Sequence, residues 1–397
     1  MKTLFQFGLI ATIATIVTII SCQLDPLPYP ETFETLIEPS GLVLTKLVDV
    51  VELSNGDVIV IGTATKGSDD DLFIARIDLN GKVVDSKTFD SGGKDDITAM
   101  CKDDEEELYI VGRNTTSSKG IVFKISPKNK TFTQVWLKND VALTACTTVK
   151  QVQFLNNLIY VINGTLDGSI GACNATGFIT LNKTNVVQTC NGGFGRIGVL
   201  TSFAGNGKII YGGDNGAKSM LVFADCVNPK FSTSNLEFST TTFNHVRAVT
   251  ANTDDIFIVG NIFQGAQLAK TYLTKISWAA LPTTTQFSIT NANNQIDSTR
   301  NKKNYTVNSM TTAPNGVVYA VSFANIGSDI EQTQLKYFTS ININTSSLKE
   351  AWTPRPLLNL TATKLINSNY QNHGGYILVG QAKQKGKVIK VNRTGEL

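Results

Sequence analysis

The chain has 397 residues, 42% of them hydrophobic and only 17% charged, a length that fits two or three ordinary domains or one large all-β domain. With 32 Gly, 20 Phe, 10 Tyr and many Thr and Val, the composition suits short strands and turns better than amphipathic helices. A net charge of +3 with no basic run argues against a nucleic-acid partner, which requires a concentrated Lys/Arg face.

Residues 1–21 carry Lys2, then an apolar and Thr-rich stretch from Leu4 to Ile20, then the small residue Ser21. That order of charge, apolar centre and small end is a signal peptide and is set aside from the fold. Ile19-Ile20-Ser21-Cys22 resembles the lipobox of bacterial lipoproteins. The resemblance implies cleavage before Cys22, which becomes a diacylated, palmitate-bearing first residue holding the protein to a membrane. Gln23 in place of Asp implies sorting to the outer membrane of the cell envelope, and the alternative is simple secretion. Residues 22–30, with Pro26, Pro28 and Pro30, read as a stiff tether. The folded body is 31–397.

A unit of four strand-like runs opens that body between Leu42 and Gly93: Lys46–Ser54, Asp57–Ala64, Leu72–Leu79 and Val83–Asp90. Asn55-Gly56 and Asn80-Gly81 lie between apolar runs, which is the strongest short signal for a hairpin. The second run then recurs, apolar and mostly closing on Gly: Asp57–Gly62, Glu107–Gly112, Leu158–Gly164, Lys208–Gly213, Asp255–Gly260, Val317–Ser322 and Gly375–Gly380. The third recurs beside it, as in Leu72–Asp78, Gly120–Ile125, Thr271–Ile276 and Lys387–Val391. The copies step by 48 to 62 residues, and a regular period of about 40 to 50 residues is the signature of propeller blades, so the expected fold is a seven-bladed β-propeller of four-stranded antiparallel blades. The last unit stops at Leu397 without a fourth strand. Glu31–Ile37 has the alternation of one and is expected to complete the last blade by pairing with 386–392. Asn291–Tyr305 and Asn325–Gln334 read as long loops, where function concentrates on rigid scaffolds.

Asp90-Ser-Gly-Gly-Lys-Asp-Asp96, the Asp-rich start of the third strand at 69–74 and the Asn80-Gly81 hairpin resemble the secreted bacterial β-propeller repeats, in which Gly-Gly-x-Asp-Asp opens a blade. The match is good over 42–126 and weaker towards the C-terminus. It implies fold and compartment, and it transfers no catalytic residue.

In a blade of this order, second-to-third-strand loops and loops entering the next blade share one rim. Asp69, Asp70, Asp71, Asp95 and Asp96 are therefore candidates for a common acidic patch able to bind Ca²⁺ through oxygen ligands, against the plainer role of turn and edge residues. Asp103–Glu107 is expected to be a solvated turn on the opposite rim. The two histidines, His245 and His373, have no ligand-spaced partners for zinc. Cys173 and Cys190 flank the third blade's outer hairpin and are candidates for a disulfide, whereas Cys101 and Cys146 read as inner-strand thiols. Nine Asn-x-Ser/Thr sequons, among them Asn114, Asn182 and Asn392, fit a chain this rich in Asn and Thr. No nucleophile elbow or phosphate loop is present. The expectation is a membrane-tethered binding or scaffold module for a protein or glycan. The alternatives are a propeller enzyme acting on carbohydrate through rim or channel carboxylates, and a structural or adhesion component.

Overall fold

The computed structural model describes residues 31–397 apart from 142–147, 165–176, 187–191, 194–197, 206, 215–218, 225–231, 238–242, 265–266, 279–285, 289–294, 299–301, 314–315, 343–346, 353–355, 371–373 and 384. The signal peptide, Cys22, the tether, Cys146, Cys173, Cys190, His373 and the side chain of His245 lie outside the described residues.

The chain enters through a short strand, β1 (Phe33–Ile37). The first sheet follows in order as β2 (Val43–Glu52), β3 (Val58–Lys66), β4 (Asp69–Ile77) and β5 (Val83–Phe89). The second sheet is β6 (Asp95–Lys102), β7 (Leu108–Asn114), β8 (Lys119–Ser126) and β9 (Thr133–Val141). Neighbours within both are antiparallel. Among the described residues the strands make seven such sheets in all. The last contains Thr361–Asn367, Tyr376–Ala382 and Lys385–Val391, and β1 lies outermost in it, paired antiparallel from Phe33 with Lys390 to Ile37 with Gly386.

Burial explains the strand sequences. Val58 to Ala64 of β3 are all buried, because a second strand is covered on both faces by neighbouring sheets and must be apolar throughout. The outer β5 is only partly covered, and four of its seven residues, Asp85 to Thr88, are polar. Apolar clusters join consecutive sheets, such as Leu53, Ile61 and Phe89 against Ile97, Met100 and Ile110 between the first and second. Similar clusters join second to third, fourth to fifth, fifth to sixth and sixth to last. Between third and fourth, Gln153 Nε2 donates to the Ser202 hydroxyl at 2.9 Å and its carbonyl at 3.3 Å. Phe33, Ile37, Leu47 and Val60 pack with Ile377, Val379 and Val388, so the last sheet also packs on the first.

A shared irregularity ties the sheets together. Every innermost strand skips a residue at one equivalent place in its pairing, at Val48, Thr98, Lys150, Leu200, Arg247, Asn308 and Thr363, the signature of a β-bulge. The residue just before the bulge faces Gly62, Gly112, Gly213, Gly260 or Gly380 in five sheets. A Cβ on Gly62, Gly112 or Gly380 would collide with the carbonyl of Lys46, Asp96 or Thr361, which accounts for the glycine that closes the second-strand repeat. Bulged threonines also reach the next sheet. Thr98 Oγ1 donates to Val149 O at 2.7 Å, and Thr363 Oγ1 donates to Leu47 O at 3.0 Å. Val149 and Leu47 hold the same place, immediately before a bulge, so the last-to-first junction uses the bond of the second-to-third.

Three expectations need correction. The fourth and sixth sheets have five strands rather than four: Gln286–Ser288 adds in parallel to Ser232–Glu237, and Leu357–Leu358 adds to Gln332–Asn342. Asn291–Tyr305 is not one loop, since Gln295–Ser298 is the fifth sheet's outer strand and Lys302–Ala313 begins the sixth. With one apolar residue in Gln295-Ile-Asp-Ser298, no alternation can show. Finally, Asp69, Asp70 and Asp71 lie inside β4, joined to β3 only by Gly67-Ser68.

Candidate functional site

The site is built where β3, β4, the end of β5 and the start of β6 meet at one rim. Lys66, Thr65 and Ala64 pair with Asp69, Asp70 and Asp71. Because side chains alternate along a strand, Asp69 and Asp71 share one face of β4 and Asp70 takes the other. Asp70 accepts a hydrogen bond from its cross-strand partner, Thr65 Oγ1, at 2.5 Å. Asp90 follows β5 one step beyond the Leu72–Phe89 pair, and so lies across from Asp71. One carboxylate oxygen from each of Asp69, Asp71 and Asp90 falls within 4.8 Å of the others.

Asp90 is aimed by its own turn. Its Oδ1 accepts from the backbone N–H of Gly92 at 2.6 Å and of Gly93 at 3.3 Å. Gly92 and Gly93 have φ of 89° and 155°, which side chains resist. Asp71 is less well served, because its Oδ1 is shut off from solvent and has no hydrogen-bond partner. Burial holds the Asp71 carboxyl above its ordinary range, with Asp90 and Asp69 adding to the effect and Lys66 opposing it.

Behind these three, Asp95 is 2% exposed. Its carboxylate accepts from the Ser91 hydroxyl and from Ser91 N at 3.2 Å, and the hydroxyl in turn accepts from Asn114 Nδ2 at 2.8 Å. Burial pushes Asp95 up to about 7; the Ser91 hydrogen bonds pull it down, and Asp71 and Asp90 raise it further. Asp96 points elsewhere and forms an ion pair with Lys46. The structure therefore gathers Asp69 and Asp71 with Asp90, sets Asp95 behind them, and sends Asp70 and Asp96 to structural partners. Asp90 is absent from the sequence-derived patch. Its signal was the pair of glycines after it, since two consecutive turn glycines expose N–H groups that an Asp side chain can cap.

Asp69, Asp71 and Asp90 offer carboxylate oxygens alone, a hard ligand set suited to Ca²⁺. Like charges so close repel one another, and a divalent cation would reverse the sign of that interaction.

The opposite rim differs from expectation. Asp103–Glu107 is no simple solvated turn: Lys183, reaching from the third sheet, pairs with Asp103, Asp104 and Glu105 at 3.5, 2.6 and 3.0 Å. Glu106 accepts from Ser54 N of the first sheet at 2.5 Å. Hairpins here clamp neighbouring sheets, and the long side chains of a charge run supply the reach. Two sequons also prove structural. Asn182 Oδ1 accepts from Thr184 N and Val186 N, and Asn392 Oδ1 from Thr394 N and Glu396 N, closing equivalent turns. Asn114 is buried against Ser91. Cys101 is a buried free thiol whose pKa burial raises.

No family model matches the chain, and no curated protein matches it. Solved structures do match. A chain of a mitotic checkpoint complex is 11% identical with a TM-score of 0.53, over 93% of this chain and 98% of that one. The β-propeller domain of the Trilobed protease from Pyrococcus furiosus is 7% identical with a TM-score of 0.51, over 89% of this chain and 94% of that one. The extracellular region of plexin A4 is 9% identical with a TM-score of 0.54 over 89% of this chain, which spans 51% of the plexin chain. At such identities the likeness concerns fold alone: the protein is an all-β propeller whose blades are antiparallel and mainly four-stranded.

Proposed function

We propose that this propeller is a binding module of the cell envelope, lipid-anchored at Cys22 to the outer membrane, whose rim holds Ca²⁺ between Asp69, Asp71 and Asp90 beside a protein or glycan ligand. The observation that carries the cation site is the Asp71 oxygen, buried without a partner in a cluster of three carboxylates. A bound divalent ion supplies what that oxygen lacks. The lipobox-like Ile19–Cys22 and the Pro-rich stretch after it support the anchor. Seven sheets, the β1 pairing and the repeated Thr-to-carbonyl bond support a closed ring of seven blades, sealed by β1.

A carbohydrate-acting enzyme is the second reading, favoured by one feature: a carboxyl pushed up to about 7 beside other carboxylates resembles the acid of a glycosidase pair. Asp95 is only 2% exposed, however, and its oxygens are taken by Ser91. The binding reading is therefore preferred.

Calorimetric titration of Ca²⁺ into the mature protein and into Asp71→Asn tests it. The proposal expects one saturable site that Asp71→Asn abolishes. A titration without saturable heat, or one the substitution leaves unchanged, overturns the site. Mass spectrometry of the mature N-terminus tests the anchor, and an unmodified residue 22 or a later start refutes it.

A further inference from the structure

At three junctions between sheets the third strand supplies an apolar plug. Phe73 stands opposite Gly62, Ile121 opposite Gly112 and Tyr272 opposite Gly260. Each is at most 1% exposed and packs in the cluster that its sheet shares with a neighbour. In the last sheet the residue at that place, opposite Gly380, is Lys387. It turns towards Leu357–Leu358 of the sixth sheet, and the junction holds a cleft of about 660 Å³ where the others are filled.

A buried ammonium needs partners, and Lys387 is 6% exposed. Glu34 of β1 meets its Nζ at 2.9 Å, and the Leu358 carbonyl accepts from it at 3.2 Å. The group has three N–H donors, so one is left over among the described residues. Glu34, 40% exposed, likewise keeps its second oxygen for a ligand. The cleft thus presents a donor and an acceptor side by side, fixed by each other, against the apolar Leu357 and the 56% exposed Leu358.

Charge decides what fits. A phosphate or free carboxylate would face Glu34 and Glu396, and a metal ion would face Lys387. A sugar hydroxyl both donates and accepts, so neighbouring hydroxyls satisfy Glu34 and Lys387 together while the ring's C–H face covers the leucines. The volume lies within the ~300–1,000 Å³ of small-molecule sites, room for about two or three rings rather than one. We propose that the cleft between the sixth and last sheets binds a neutral oligosaccharide through Glu34 and Lys387. The inference rests on the binding-module reading above, takes its glycan alternative, and needs neither the cation nor the anchor.

Saturation-transfer NMR tests it on the mature protein in EDTA, so that the rim site plays no part. The probes are neutral trisaccharides of glucose, galactose, mannose and N-acetylglucosamine, with trialanine as a peptide of like length. The inference expects transfer to at least one trisaccharide and a Kd about tenfold weaker in Glu34→Gln, which loses a charge-assisted hydrogen bond. In Leu358→Arg, whose guanidinium fills the cleft, no transfer is expected; this exposed position keeps the test valid if Glu34→Gln loosens β1. Transfer to no trisaccharide, transfer that Leu358→Arg leaves unchanged, or transfer to trialanine alone overturns the inference. Saturable Ca²⁺ heat without any trisaccharide signal refutes the cleft and spares the rim site, so the two failures are distinguishable.

Discussion

If β1 seals the last sheet, its buried face should be worth far more than its exposed one, and adjacent residues allow a controlled comparison. Ile37 is 2% exposed and sits among Leu44, Leu47, Val379 and Val388, which belong to the first and last sheets. Leu36, its neighbour, is 47% exposed. Truncating a fully buried Ile to Ala removes its transfer energy and leaves a cavity, costing about 2–5 kcal/mol. With two sheets lining the site and little freedom to collapse, about 3–4 kcal/mol is expected for Ile37→Ala. Leu36→Ala should cost under about 1 kcal/mol, because most of its surface already faces water. Urea unfolding of the mature protein at neutral pH gives both values as shifts in midpoint at constant slope. Equal costs for the two variants, within about 0.5 kcal/mol, would show that β1 is not part of the cooperative fold. The sealing argument would then fail.

The pH dependence of Asp95 offers a second test. Its folded pKa, about 7, lies above the ordinary 3.8, so the folded state binds more protons than the unfolded one and stability falls as pH rises between these values. The full shift corresponds to a penalty on the order of 4 kcal/mol above neutrality. Asp95→Asn should therefore be more stable than the parent at pH 8 and lose that advantage towards pH 4, as read from denaturant midpoints across pH. At the first-to-second junction, Arg76, 5% exposed, bonds Asp57 through Nε at 2.6 Å and the Pro127 carbonyl through Nη1 at 2.8 Å. Arg76→Ala should cost about 3–5 kcal/mol in the same assay by stranding Asp57. Asp104→Ala, removing an exposed acid on the opposite rim, should leave the unfolding midpoint essentially unchanged. Gly112→Ala should cost about 1–3 kcal/mol, since its Cβ meets the Asp96 carbonyl in a packed strand; thermal unfolding measures it directly.

The repeat is readable because the second strand of each sheet is buried on both faces, and a β-branched run such as Val58-Ile-Val-Ile61, bounded by a turn before it and Gly62 after it, favours a buried strand over a helix. Its closing glycine was visible too, but its cause was not. The bulge at Val48 or Thr98 has no residue signature, only a carbonyl pushed towards the neighbouring strand. Outer strands were harder, because Gln295–Ser298 has one apolar residue and Gln286–Ser288 adds in parallel at an edge where little burial is required. At the site, a run of three aspartates marked the rim, but only strand alternation could separate Asp69 and Asp71 from Asp70. Asp90 joined them through a cross-strand register that depends on where β5 ends. The acidic run at 103–107 looked solvated because its partner, Lys183, is far away in sequence.

A cation held between Asp69, Asp71 and Asp90 at the junction of the first two sheets would be seen by anomalous diffraction from crystals grown with Ca²⁺. One anomalous peak is expected about 2.3–2.6 Å from oxygens of these three residues. No peak there at saturating Ca²⁺, or an ion held instead by Asp70 or Asp96, would contradict it.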